Sequence, residues 1–104
     1  MTIIETKIFT QQITSLIDDS EYRVLQNALL EDPKSGKIIE HSGGLRKIRF
    51  GIRGRGKSGG IRIIYFYHEL KCLIYLLICY SKNQKDDLSA KELEILKNIA
   101  KGFK

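Results

Sequence analysis

The chain has 104 residues, 42% of them hydrophobic and 9% aromatic, which is ordinary globular material and predicts one domain over residues 1–104. No apolar run approaches the roughly 18 residues a membrane helix needs, the longest being Leu73 to Tyr80, and no basic n-region with an apolar h-region marks a signal peptide. The formal net charge is +6, but its placement matters more: residues 46–62 hold seven bases and no acid, while the remainder holds 11 bases and 12 acids.

Residues 2–8 predict a short strand, rich in β-branched side chains. Thr10 is placed to cap a short helix over 11–17, with Ile13, Leu16 and Ile17 as its stripe. Asp18 with Glu21 three residues on makes a second cap arrangement. Tyr22, Leu25, Ala28 and Leu29 recur at helical spacing over 20–31. Asp32-Pro33 ends that helix, because the residue before proline is pushed out of the α region.

Residues 34–37 read as a turn, and Ile38-Ile39 opens an extended passage to Gly43-Gly44. Leu45 to Phe50 alternates as a strand, with Leu45, Lys47 and Arg49 on one face and Arg46, Ile48 and Phe50 on the other. Five glycines between 51 and 60 predict a mobile loop. Ile61 to His68 and Leu73 to Tyr80 follow as strands, the second apolar enough for a sheet covered on both faces. Ser89-Ala90-Lys91-Glu92 is a capping box before a last helix with Leu93, Leu96, Ile99, Ala100 and Phe103 as its stripe. The order predicts an α+β fold, with two helices, a meander of three antiparallel strands and a C-terminal helix.

The two cysteines read as buried thiols of a reducing compartment. In one unbroken strand Cys72 and Cys79 would point to opposite faces and could not pair. A metal site is not expected, since only His41 and His68 could add nitrogen ligands, and no cofactor is implied.

One motif match is rejected. Gly51 to Ser58 fits the P-loop pattern letter for letter. That mechanism needs a helix directly after it, whose amides hold the phosphates. Gly59-Gly60 and a strand follow instead.

What remains is a cationic stretch beside tyrosines. Such a block is an electrostatic footprint for a polyanion, or else a solvated basic loop. Arg62, in an otherwise apolar strand, is either an edge residue reaching water or a phosphate clamp. Were the meander to bring Lys47 and Arg49 beside it, three cations would converge, with Lys82 and Asn83 completing the rim. Arginine binds phosphate bidentately, and tyrosine and arginine planes stack on unpaired bases. Attack of a ribose 2′-OH on the adjacent phosphate would need a base, an acid and charge neutralisation. His41 and His68 read as surface histidines rather than catalysts, and Tyr65 and Tyr67 as core or groove-wall aromatics rather than acids.

The run Gly43-Gly44-Leu45-Arg46-Lys47-Ile48-Arg49 resembles a signature of the RelE/ParE superfamily of bacterial toxins, in its HigB-like branch. So do Gly54 to Tyr67, Tyr75 to Asn83 and Asp87-Leu88-Ser89, in the right order from about residue 20 to about residue 100. The resemblance implies a RelE-like mixed, largely antiparallel sheet with two N-terminal helices on one face and a C-terminal helix. It implies a cytoplasmic toxin of a type II toxin–antitoxin system: a metal-independent, ribosome-dependent mRNA endonuclease that inhibits translation. It implies two partners, a helix-turn-helix antitoxin and the ribosome with its small-subunit RNA and mRNA. By motif match, Lys47, Arg49, Arg62 and Lys82 carry the catalytic contacts. Arg46, Arg53, Arg55, Lys57, Tyr65, Tyr80 and Asn83 are the expected RNA- and ribosome-binding residues. Several relatives place a catalytic tyrosine or histidine near the C-terminus, but this chain has neither after Tyr80. Its acid and base are therefore open to Lys82, Asn83 or Tyr80. The competing reading is a basic RNA- or DNA-binding module without catalysis.

Overall fold

The computed structural model describes residues 1–51, 60–85 and 87–103. Its elements are β1 (Thr2–Glu5), α1 (Lys7–Leu16), α2 (Asp19–Glu31), β2 (Lys37–Ile38), β3 (Leu45–Phe50), β4 (Ile61–His68), β5 (Leu73–Ser81) and α3 (Ala90–Lys101). The strands form one sheet in the order β1-β5-β4-β3-β2, with β1 parallel to β5 and the other neighbours antiparallel. This is the expected α+β architecture. Arg53, Arg55 and Lys57, with most of the P-loop-like run, lie outside the described residues.

Side-chain oxygens set the helix starts. Asp18 Oδ1 accepts from the Glu21 amide at 2.8 Å, and Glu21 Oε1 accepts from the Asp18 amide at 3.1 Å. Ser89 and Glu92 form the same box before α3. Helix α1 starts earlier than its sequence suggests. Thr6, not Thr10, is the cap: its hydroxyl accepts from the Phe9 amide at 3.0 Å and donates to the Leu77 carbonyl at 2.7 Å. Thr10 lies inside the helix, its hydroxyl on the Glu5 carboxylate. The strand read over residues 2–8 accordingly stops at Glu5.

The sheet separates two apolar layers. Phe9, Ile13, Leu25 and Leu29 of α1 and α2 pack on Ile61, Ile63, Tyr65, Ile74 and Leu76. Leu96 and Ala100 of α3 pack on Leu45, Ile64, Phe66, Leu77 and Tyr80 across the other face. Coverage on both sides is why β5 is apolar along most of its length.

Strand β5 contains a bulge. His68 to Tyr65 pair with Leu73 to Leu76, but Ile64 pairs with Ile78, so Leu77 is an extra residue. Beyond Leu76, β5 has no β1 partner. Its edge is finished by α1 instead: the Thr6 hydroxyl meets the Leu77 carbonyl, and Gln12 Oε1 accepts from the Cys79 amide at 2.9 Å.

The cysteine expectation needs correction. Cys79 is buried, and burial pushes its thiol up to about 12. Cys72 is exposed. It lies before β5 in the left-handed region, at φ 53°, where its amide closes a turn on the Glu69 carbonyl.

Two sequence-chosen residues clamp the turn after α2. The Tyr65 hydroxyl accepts from the Gly36 amide at 2.8 Å and donates to the Pro33 carbonyl at 2.9 Å. Arg46 Nη1 donates to the Gly36 and Lys34 carbonyls at 2.8 and 3.1 Å. A Cβ on Gly36 would lie 2.7 Å from the Tyr65 ring and hydroxyl, so the turn needs glycine for its close approach. Tyr65→Phe strands both turn groups and should lower the unfolding free energy by about 1–3 kcal/mol in chemical denaturation. RNA affinity, measured on the same protein, should not change.

Candidate functional site

On the α3 face, the strand register sets bases opposite one another. Lys37 pairs across the sheet with Lys47, and Arg49 pairs with Arg62. Like charges directly opposite are destabilising, by an order of roughly 0.2–1 kcal/mol per pair. Here two such pairs sit side by side, since Lys47 and Arg49 are alternate residues of β3. They line an open cleft of about 470 Å³ together with Ser35.

Arg62 also pairs with Tyr80 of β5, giving one row, Arg49–Arg62–Tyr80, over three strands. Arg62 Nη1 and the Tyr80 hydroxyl are both buried and have no hydrogen-bond partner among the described residues. A buried polar group without a partner costs free energy comparable to a lost hydrogen bond. Two in one row point to a ligand that offers oxygens there.

Two described residues between β5 and α3, Lys85 and Asp87, reach toward this region. Lys85 Nζ stands 5.1 Å from the Tyr80 ring centroid and is ion-paired with Glu92. Asp87 Oδ1 lies 3.4 Å from Lys47 Nζ. Burial, with Asp87 nearby, raises the Tyr80 phenol above its ordinary range, while Arg62 opposes the shift. The Lys85 ammonium and the Ser89 amide pull Glu92 down to about 2.

The structure brings Lys47, Arg49, Arg62 and Tyr80 together. Arg46 and Tyr65 lie on the opposite face, Arg46 engaged by turn carbonyls and Tyr65 fully buried. Stacking of Tyr65 on a base is incompatible with that burial. Lys82 and Asn83 sit in the exposed turn after β5. Sequence reading missed Lys37, Lys85 and the approach of Asp87 to Lys47. Lys37 enters only through the β2–β3 register, and Lys85 only through its approach to Tyr80.

A family profile describing the RelE toxin of the RelE/RelB toxin–antitoxin system matches residues 1–104. The chain belongs to the RelE toxin family. Its fold is similar to that of the Escherichia coli toxin RelE, solved free as a mutant with two arginines changed to alanine. There the identity is 12%, the TM-score 0.54, and the match covers 82% of this chain and 86% of that one. It is also similar to a chain of the intact Escherichia coli RelBE toxin–antitoxin complex, at 14% identity and TM-score 0.56, over 77% of this chain and 94% of that one.

In this RelE-family chain the histidines stand away from the cationic row. His68 ends β4, six residues from Arg62 and hence about 20 Å along the strand, and its Nδ1 accepts from the Lys71 amide. His41 is in the turn before β3 at φ 59°. Among the described residues no three His, Cys, Asp or Glu side chains converge as metal ligands, and no helix is long and apolar enough to cross a membrane.

Two measurements check this electrostatic picture. Lys37→Gln relieves one like-charge pair. It should raise stability at low salt by roughly 0.2–1 kcal/mol, with the gain fading at high salt. The same change should weaken single-stranded RNA binding and reduce the slope of log K against log salt by about 0.7. Glu92 has a depressed folded-state pKa, so its contribution is complete above the unfolded value near 4.5 and is lost as pH falls toward about 2. Stability measured across that window should fall more steeply for the native chain than for Glu92→Gln.

Proposed function

We propose that this RelE-family toxin belongs to the HigB-like branch of type II toxin–antitoxin systems and acts as one domain over residues 1–104. On this reading it inhibits translation in the cytoplasm as an endonuclease cutting mRNA on ribosomes. The observation that carries the reading is the pair of like-charge cross-strand pairings, Lys37–Lys47 and Arg49–Arg62, beside a buried guanidinium nitrogen and a phenol oxygen with no hydrogen-bond partner among the described residues. A fold tolerates such a face when a polyanion completes it.

The chemistry follows from the charges. An RNA phosphate seated between Arg49 and Arg62 gains bidentate, charge-assisted hydrogen bonds. Attack by the neighbouring 2′-oxygen builds further negative charge on the phosphoryl oxygens. Cations fixed in advance stabilise that transition state more than the ground state. Lys47 adds charge from the same strand, and the Tyr80 hydroxyl offers a donor at the row's end. The proposal assigns Arg53, Arg55 and Lys57 to docking on ribosomal RNA, with Arg46 at most indirect through the turn it holds. Lys82 and Asn83 are assigned to the outer rim. No metal or cofactor takes part in this scheme. Control is assigned to a cognate helix-turn-helix antitoxin.

The test is Arg62→Ala, read by mRNA 5′-end mapping and growth after induction. Cleavage on ribosomes should fall by about 10²–10³-fold, the usual cost of one transition-state donor, with the fold retained. A loss confined to RNA affinity, with no cleavage by the native chain, would instead identify a non-catalytic binding module.

A further inference from the structure

The cationic row stabilises charge but contains nothing that obviously removes a proton. Lys37, Lys47, Arg49, Arg62 and Lys85 are all cationic donors, and both histidines lie outside the cleft. Among the described residues, Asp87 and Glu92 approach Tyr80 closely enough to influence it electrostatically.

Glu92 is committed. Its Oε1 accepts from the Ser89 amide at 3.0 Å and its Oε2 is paired with Lys85. Asp87 is held differently. Its Oδ1 accepts from the Leu88 amide at 2.8 Å and from Lys47 Nζ at 3.4 Å, while Oδ2 makes no hydrogen bond among the described residues. Two donors on one oxygen orient the carboxylate and leave the other oxygen available. Asp87 lines a cleft of about 280 Å³ that shares Lys37 and Lys47 with the cleft holding Arg49 and Arg62. An anion at this position cannot serve to bind phosphate, which it repels. Placed beside the phosphate site, it suits a hydroxyl that must lose its proton.

We infer that Asp87 is the general base of the cleavage, accepting the 2′-OH proton of the nucleotide whose phosphate lies on Arg49 and Arg62. The inference rests on the nuclease reading above. In the step, the 2′-OH proton passes to Asp87 Oδ2 and the 2′-oxygen bonds to phosphorus. The bond from phosphorus to the 5′-oxygen breaks, and that oxygen takes a proton from water. The products are a 2′,3′-cyclic phosphate and a 5′-hydroxyl end, and Asp87 then releases its proton to solvent. Lys47 is the positioning residue that aims the base.

Asp87→Asn keeps an oxygen for Leu88 and Lys47 but cannot take the proton. Single-turnover cleavage of ribosome-bound mRNA should drop by about 10²–10⁴-fold, and Asp87→Glu should recover part of it. Binding of an uncleavable 2′-deoxy mRNA should be undiminished, because a negative charge has left a cationic cleft. The pH profile separates a base from a structural anchor. With the carboxylate gone, hydroxide must take the proton, so the residual rate of the Asn variant should climb more steeply with pH than the native rate. A 5′-bridging thiolate leaving group, which relieves loss of an acid, should not rescue the variant. An Asn variant within about threefold of native activity, or with an unchanged pH profile, overturns the assignment of Asp87 alone. A native chain that cuts no mRNA on ribosomes overturns the nuclease reading and the base with it.

Discussion

The extra residue at Leu77 in β5 decides which side chains meet. With continuous pairing from His68–Leu73, Tyr80 would fall opposite Ile61 and point toward α1 and α2. The bulge shifts the register by one, so Tyr80 stands opposite Arg62 on the α3 face. It also lets Leu76 and Cys79, three residues apart, serve the same core layer, while Leu77 and Tyr80 serve the other. The irregularity is held in place by α1, whose Thr6 hydroxyl and Gln12 amide oxygen complete the exposed edge of β5. The cap of one helix and the geometry of the Arg49–Arg62–Tyr80 row are thus a single feature.

Much of this was legible in the sequence, and the failures have physical causes. Strands β3 and β4, both capping boxes and the cationic segment follow from local rules, because their signals lie within a few residues of each other. Thr6 escaped notice because its partner is Leu77, and because Lys7-Ile8-Phe9 after Thr2-Ile3-Ile4 continues a β-branched and apolar run. The bulge escaped because a one-residue slip leaves no mark in Leu73 to Tyr80, where nearly every position is apolar. Arg46 and Arg49 look alike in sequence. Alternation separates their faces, but only the turn at 33–36 shows that Arg46 is consumed by backbone carbonyls. The family resemblance reached the right fold, while which of its bases share a face and a row had to come from register.

Apolar packing and like charge lie side by side on the α3 face. Apolar contacts around Leu96 and Ala100 anchor α3 over one part of the sheet, and the neighbouring part accumulates like charge. The ion pairs Lys47–Asp87 and Lys85–Glu92 moderate this, yet both are largely surface pairs of small individual value. Their importance lies in where they hold the loop. They hold the Asp87 carboxylate beside Lys47 and keep the Lys85 ammonium near the Tyr80 ring.

The parallel pairing of β1 with β5 has a consequence for biogenesis. Thr2 to Glu5 are made first, but their partners are Leu73 to Leu76, so the first strand waits for most of the chain before it has anywhere to go. Contacts of such long sequence separation form late and slow folding. During synthesis, Ile3 and the apolar face of α1 remain without the surface they finally cover. The same delay leaves Arg62 without Tyr80, because the bulge that turns Tyr80 toward it is secured only when α1 docks. A nascent or truncated chain therefore lacks the assembled row, which comes into being only with the completed fold.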